Sequence, residues 1–477
     1  MKNFKKELSQ NPVFSVVAEA AKEKNVQVYV VGGFVRDLIL GRIQKDIDFV
    51  SIGSGIELAE GVAKKLLIKK VVTFESFGTA MVPYHDFQLE FVGARKEAYF
   101  ERGTRNPTVA PGNLEEDLSR RDFTINAMAI SLNAENFGDL FDPYNGLSDI
   151  EDKILRTPLD PVVTFDDDPL RILRGIRFAA QLHYQLHPDS LSAIGKVKDR
   201  LSIISQERIS EEFLKILKSE KPSVGFILMH ETGVLPILHP ELVKMVGIEQ
   251  KDGYGHKDTF FHTLQVLDNI CTTTDNVWLR LSALWHDIAK PKTKRFTPGH
   301  GWSFHGHDDL GARMIPDQFK KMKLPFEQMK YVQKLVRLHL RPIALIKDEI
   351  TDSAIRRVLF EAGEDIEDLM KLCRADITTK SYARKQKYWD NYERVISKMK
   401  EVEEKDQMRS WQPPVSGQDI MEIGQIPASP LVGKFKKAIE EAIIEGVIPN
   451  EREAALKLLS KLLNEWKSES RSRNSEV

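Results

Sequence analysis

Cysteine is nearly absent from this chain: Cys271 and Cys373 are the two in 477 residues, too few for a disulfide framework and fitting a reducing compartment. Missing too is any run of the roughly 18 apolar residues that a membrane span needs. The opening MKNFKKELSQNPVF is basic but lacks the apolar core of a signal peptide. These absences predict a cytoplasmic protein with no membrane association. The formal net charge is −1, which excludes a uniformly basic nucleic-acid binder, so any RNA contact must be local. No internal repeat and no low-complexity block occurs.

A chain of 477 residues is too long for one core, and several domains are expected. Residues 1–156 alternate short apolar strands with helices, the strands falling at 26–31, 46–50, 80–83, 87–92 and 127–131. Between 93 and 118 the polar, Gly-, Pro- and Asn-rich GARKEAYFERGTRNPTVAPGNLEEDL predicts a long mobile loop. From about Pro158 strand signals vanish, and apolar residues recur at helical spacing to the end. The fold class is therefore α+β: a head with a mixed sheet, then an all-helical remainder. Breaks at Pro236–Pro240 with KDGYGHKD (251–258), and at WQPPVSG (411–417), divide the chain into 1–156, 157–238, 239–400 and 401–477.

The chemistry concentrates in a few places. Asp46 and Asp48 stand two apart on a strand, so both carboxylates project from one face, a costly arrangement unless a divalent cation, most naturally magnesium, lies between them. Just upstream, the strand 28–31 runs into Gly32 and Gly33 and a helix start, where backbone N–H groups can receive phosphate oxygens. Arg120-Arg121-Asp122 follows the loop; as a surface ion-pair cluster it would matter little, but near a two-carboxylate site it can clamp a triphosphate, with Asn126 on a ribose hydroxyl. Asp168 suits a helix N-cap ahead of Pro169. Alternatively, Asp168 and Arg171 together offer acceptor and donor groups for the Watson–Crick edge of a base. Arg171, Arg174 and Arg177 at three-residue spacing, and Lys434, Lys436 and Lys437, are the local clusters able to meet phosphate. Later, His262, His286-Asp287, His305, His307, His339 and Asp376 form a spaced series, and His286-Asp287 sits in the apolar helix LRLSALWHDIAKP beside a buried wall.

GGFVRDLILGRIQKDIDFV resembles the first motif of the class II tRNA nucleotidyltransferase and bacterial poly(A) polymerase family, and RRDFTINAMA resembles its second. The resemblance implies nucleotide contacts from Gly32, Gly33, Arg36, Asp37, Arg120, Arg121, Asp122 and Asn126. It also implies a protein template for CTP and ATP at Asp168 and Arg171, with Arg174 and Arg177 along the same helix; Asp167 stands where Glu is common. Gln206–Phe213 resembles the family's helical brace. A third metal carboxylate is implied on a neighbouring strand, and Glu90 is the candidate, though it could equally be a solvent-facing strand residue. The histidine series resembles the HD phosphohydrolase superfamily. That likeness assigns His262, His286, Asp287 and Asp376 to one divalent transition metal, and His307 and His339 to an optional second.

These resemblances imply a nucleotidyltransferase head, a neck with the nucleotide-selecting motif, an HD domain, and a helical tail that contacts tRNA. The implied activity is CCA addition to tRNA from CTP and ATP, catalysed through magnesium at Asp46, Asp48 and Glu90, with an accessory HD hydrolase. Poly(A) synthesis or A-only addition stands as an alternative. The intact 93–118 segment argues against CC-only addition. From another class, the chain would be an HD phosphohydrolase whose head merely binds RNA.

Overall fold

A computed structural model of the chain describes residues 2–42, 45–75, 78–98, 108–347, 351–379, 381–406, 408, 411 and 413–474. They form two compact units, one of residues 1–244 with 321–324 and one of residues 245–320 with 325–477. Among the described residues no helix is long and apolar enough to cross a membrane.

The first unit is built on strands β1 (Gln27–Val31), β2 (Asp46–Ile52), β3 (Val72–Phe74), β4 (Thr79–Tyr84) and β5 (Phe87–Gly93), joined later by β8 (Ala129–Ser131) and β9 (Leu140–Phe141). They hydrogen-bond in the order β3-β4-β5-β2-β1-β8-β9. The β2–β5 pair is parallel and the others are antiparallel. β1 is buried from Val28 to Val31, as an unbroken β-branched and aromatic run in mid-sheet should be. β2 alternates at its start, with Ile47 and Phe49 fully buried and Asp46 and Asp48 on the opposite face. Phe49 stacks on Phe91 of β5 with ring centroids 4.8 Å apart, which anchors the carboxylate-bearing strand to its parallel neighbour.

The predicted loop over 93–118 is largely structured where it is described. Strands β6 (Arg95–Ala98) and β7 (Thr108–Pro111) pair antiparallel, and a helix spans Leu114–Ser119. Asn113 and Glu116 close a capping box that starts this helix, a signal present in GNLEED and overridden by the neighbouring breakers. Residues 99–107, the middle of the predicted loop, lie outside the described residues. The predicted strand at 127–131 begins only at Ala129, because Thr124–Asn126 form a 3-10 turn.

Beyond Pro158 the chain is helical, with one correction: short strand pairs occur at 154–155 with 185–186, 250–251 with 254–255, and 295–297 with 301–303. Segments of two or three residues leave no periodicity to read. In the first unit the Leu170–Leu182 helix buries Ile172, Leu173, Ile176 and Ala179, while Arg171, Arg174 and Arg177 remain partly exposed along one face. In the second unit the Thr259–Cys271, Val277–Trp285, Met329–Leu338 and Ile366–Ala375 helices bring the histidine series together.

Candidate active site and candidate metal centre

In the first unit a cavity of about 410 Å³ gathers the motifs that lie apart in sequence. Of the predicted residues, Gly32, Gly33, Arg36, Asp46, Asp48, Arg120, Arg121, Asp122, Asn126, Asp168, Arg171, Arg174 and Arg177 all line it. Asp37 does not. It is 1% exposed and receives two bonds from Arg36, at 2.9 and 2.7 Å, so it serves to fix that guanidinium. Glu90 lines a separate cavity with Phe74, Thr79, Met81 and Arg95, yet it stands in register with Asp48 on the parallel β5 strand.

Asp46, Asp48 and Glu90 therefore share a sheet face, and each feels the others. Burial raises the Asp48 carboxyl, Arg121 pulls it back and Asp46 pushes it further up. Burial also raises Glu90, reinforced by repulsion from Asp48 and Asp46. Carboxylates whose ionisation is opposed by one another are a group that a divalent cation would stabilise, so these residues fit a magnesium ion.

At Gly32 the backbone takes φ +74°, and an added Cβ would lie 2.8 Å from Arg121 Nη1 and 3.2 Å from Asp48 Oδ2. No other residue fits there without displacing the site. Arg120 and Arg121 both bond to Asp117, which is fully buried at the end of the capped helix. Burial would raise the Asp117 carboxyl, but Arg121 and Arg120 outweigh it and hold it below the usual range. Behind them runs a buried chain: Arg36 donates to Asn126 Oδ1 at 2.8 Å, Asn126 donates to Asp122 Oδ1 at 2.9 Å, and Arg174 Nε donates to Asp122 Oδ2 at 2.7 Å. Against the effect of burial, Arg174 and Asn126 hold Asp122 well below the ordinary carboxylate range. Asn126 is thus tied into this chain while lining the cavity.

Asp168 Oδ1 accepts from Leu170 N at 3.2 Å, the capping contact its position suggests, and its other oxygen lies 3.9 Å from Arg208. Arg171 donates to the carbonyls of Thr164 (3.2 Å) and Arg120 (2.7 Å), which ties the neck helix to the arginine motif. Arg177 donates to Glu212 at 2.7 Å, so the helical brace fixes this arginine row. Phe178 carries three guanidinium groups over its ring, from Arg177 (4.2 Å), Arg36 (5.1 Å) and Arg174 (5.6 Å). The sequence reading missed Phe178, Phe34, Leu170 and Arg208 as lining residues. For Phe178 a signal existed, since an aromatic beside an arginine row on one helix is placed to stack with it.

In the second unit His262, His286 and Asp376 form one potential metal-ligand group, and Asp287, His307 and His339 another. Asp287 lies between them: one oxygen is 3.2 Å from His286 Nε2, the other 3.2 Å from His307 Nε2 and 3.9 Å from His339 Nε2. His305 is in neither group. The Nδ1 atoms of His286, His307 and His339 each face a backbone carbonyl at 2.7 Å, from Ala283, Phe304 and Val336. Those bonds fix the tautomer and turn each Nε2 lone pair inward. His286 Nε2, His307 Nε2, His339 Nε2 and Asp287 Oδ1 are accordingly buried with no hydrogen-bond partner. Lone pairs facing carboxylate oxygens repel unless a cation lies between, and imidazole nitrogens with carboxylates suit a transition metal. Burial pushes His339 down to about 4, keeping it in the neutral form that ligates.

Comparison with known proteins agrees with this arrangement. Residues 28–156 match the model for the poly A polymerase head domain, 183–245 the probable RNA and SrmB-binding site of polymerase A, and 259–381 the HD domain. The chain is 31% identical to the CC-adding tRNA nucleotidyltransferase of Thermus thermophilus, over 90% of this chain and 93% of that protein. It is 29% identical to the multifunctional CCA protein of Tolumonas auensis, over 74% of this chain and 84% of the relative. An A-adding tRNA nucleotidyltransferase of Deinococcus radiodurans is 31% identical, over 72% and 78%. A crystal structure of a tRNA nucleotidyltransferase with primer tRNA and an incoming ATP analogue superposes with TM-score 0.57 and 26% identity, covering 80% of this chain and 98% of that one. The chain belongs to the tRNA nucleotidyltransferase family, with a poly A polymerase head and an HD domain.

Proposed function

We propose that this protein builds or repairs the 3′-terminal CCA of tRNA from CTP and ATP, without a nucleic-acid template and with release of pyrophosphate. The observation that carries this reading is the single cavity in which the Asp46–Asp48 pair, the Arg120–Arg121 motif and the Asp168–Arg171 pair meet. Asp46, Asp48 and Glu90 would hold magnesium, which when bound would lower the cost of ionising the attacking hydroxyl and of placing charge on the departing pyrophosphate.

The chain's own groups do the rest. Arg120 and Arg121, braced by Asp117, offer guanidinium forks to a triphosphate, and Gly32 leaves room for phosphate oxygens against bare backbone. Arg171 spends two of its five N–H groups on carbonyls and keeps the others for a base edge, with Asp168 as the acceptor beside it. Arg174 is held by Asp122 and Arg177 by Glu212, so the selecting face is fixed before substrate arrives. The tRNA 3′-hydroxyl oxygen then bonds to the α-phosphorus as the bond to pyrophosphate breaks.

The inward Nε2 atoms of the HD cluster support a second activity, metal-dependent hydrolysis of phosphate esters, with a divalent transition metal at His262, His286, Asp287, His307, His339 and Asp376. We place the protein in the cytoplasm, where tRNA is matured and both cysteines can remain free. The experiment is incubation with tRNA lacking its 3′ end, with CTP and ATP supplied separately and together, followed by sizing of the product. Three added nucleotides only when both are present support the reading. A stop after two C residues, a single A, or a long A tail would each replace it with the matching narrower or poly(A) activity, and no incorporation would leave the head as an RNA-binding module.

A further inference from the structure

Two cavities in the second unit adjoin the start of the Tyr382–Asp406 helix. One, of about 300 Å³, is lined by His262 and Asp376 of the HD cluster together with Lys257, Arg384 and Tyr388. The other, of about 310 Å³, is lined by Lys371, Arg374, Lys385 and Trp389, with Asn269 and Thr273. Ile377 lines both, and each receives one of two consecutive aromatic residues.

The charge is one-sided. No carboxylate lines the second cavity, and the first has one, the ligand candidate Asp376. Lys371 is paired with Asp368 at 2.9 Å, but among the described residues neither Arg374 nor Lys385 meets a carboxylate. Both instead approach the Trp389 ring, at 5.6 and 4.8 Å from its centroid. Between Asp376 and Asp390 the sequence carries no acidic residue at all. Cations without counter-ions beside an exposed or half-buried aromatic ring, repeated in adjacent cavities, is the pattern that meets a phosphodiester strand, phosphate by phosphate and base by base. At about 300 Å³ each cavity is at the small end of ligand pockets, sized for one nucleotide.

We propose that the two cavities form a track that seats the 3′ end of an RNA strand. Its terminal phosphate or 2′,3′-cyclic phosphate lies at His262 and Asp376, and its penultimate nucleotide lies against Trp389 between Arg374 and Lys385. The substrate of the HD centre is on this account an RNA end and not a free nucleotide, an inference that rests on reading the cluster as a phosphohydrolase. Opening a cyclic phosphate forms one P–O bond from water and breaks one ester P–O bond, the water proton passing to the released ribose hydroxyl, so no further reactant is required.

The test uses the full chain and a trinucleotide ending in 2′,3′-cyclic phosphate with 4-thiouridine at the penultimate position. On irradiation the adduct is expected in the peptide carrying Trp389 and should be lost in Arg374→Gln. Mapping to another segment, or indifference to that substitution, overturns the track. In kinetics, KM for the trinucleotide should lie at least about tenfold below that for a mononucleoside 2′,3′-cyclic phosphate, the worth of one stacked base. Trp389→Ala should bring the ratio toward one and Trp389→Phe should retain most of it; equal KM values in the parent overturn the proposal. If the parent hydrolyses neither substrate, the phosphohydrolase reading fails, and the crosslink, which needs no turnover, decides the track by itself. Loss of CCA addition in Trp389→Ala with hydrolysis retained would assign the groove to the tRNA body and overturn the inference.

Discussion

The two centres of this chain meet cations by opposite means. In the head, the carboxylates of Asp46 and Glu90 are exposed and Asp48 is half-buried, beside an open, arginine-rich cavity. In the HD unit the ligand atoms are buried imidazole nitrogens locked in place by 2.7 Å bonds from the far side of each ring. The first arrangement suits a hard ion that keeps water and shares its coordination with substrate phosphates; the second suits a softer ion held by protein alone. Dialysis against chelator should therefore empty the head readily and the HD centre slowly.

The contrast breaks most sharply at Asp48. Asp48→Asn should lower nucleotide incorporation by about three orders of magnitude or more, since it halves the anionic pair, while circular dichroism and melting stay near those of the parent. Near-normal incorporation would remove the carboxylate pair from the mechanism.

Next in size is the converse. His286→Ala combined with Asp287→Ala should abolish bound transition metal and any hydrolysis of cyclic phosphates, and should leave transfer to tRNA within about twofold, because no HD ligand lines the head cavity. Metal analysis and paired assays on the double variant check it; loss of transfer would mean the HD metal also organises tRNA binding.

A subtler separation lies within the head. Arg171→Ala should relax the preference for CTP and ATP over the other nucleotides by about 10- to 100-fold, whereas Arg121→Ala should weaken all four alike. Incorporation of each nucleotide by both variants distinguishes them, and a merely slower Arg171→Ala with unchanged preference would end its templating role. The bonds from Arg171 to the Thr164 and Arg120 carbonyls mean that Arg171→Lys should fail too, since a point charge cannot hold both carbonyls and a base.

How far the sequence carried these sites depends on what kind of signal each left. The carboxylate strand was legible to its first residue, since Asp46-Ile47-Asp48-Phe49 alternates in polarity and the sheet alternates in burial. The arginine row at 171, 174 and 177 was legible as a helix face. What escaped was the support: the burial of Asp117, the bond from Arg36 to Asn126, and the three guanidinium groups over Phe178 depend on contacts spanning up to 142 residues. Local patterning cannot place such partners. The structured flanks of the 93–118 segment were missed for another reason, because breaker residues were weighed above the Asn113–Glu116 capping signal.

The smallest expected effect concerns pH and sharpens the comparison of histidines in the two units. His239 in the first unit is 1% exposed, its ring centroid 6.4 Å from that of Phe213 in a stacked arrangement. Burial pushes it down to about 4, only partly offset by Glu241. Its folded value thus lies below the unfolded value of about 6.5, so the fold prefers the neutral ring. The sign follows: this stability is fully present above pH 6.5 and is lost as pH falls from there toward 4, at up to about 1.4 kcal/mol for each pH unit crossed. Calorimetry of the parent and His239→Phe between pH 7 and 4.5 should show a steeper fall in the parent's first-unit transition, the variant keeping the ring contact without the proton. Parallel slopes in the two proteins would mean that His239 is protonated in the folded state and that Glu241, not burial, governs it.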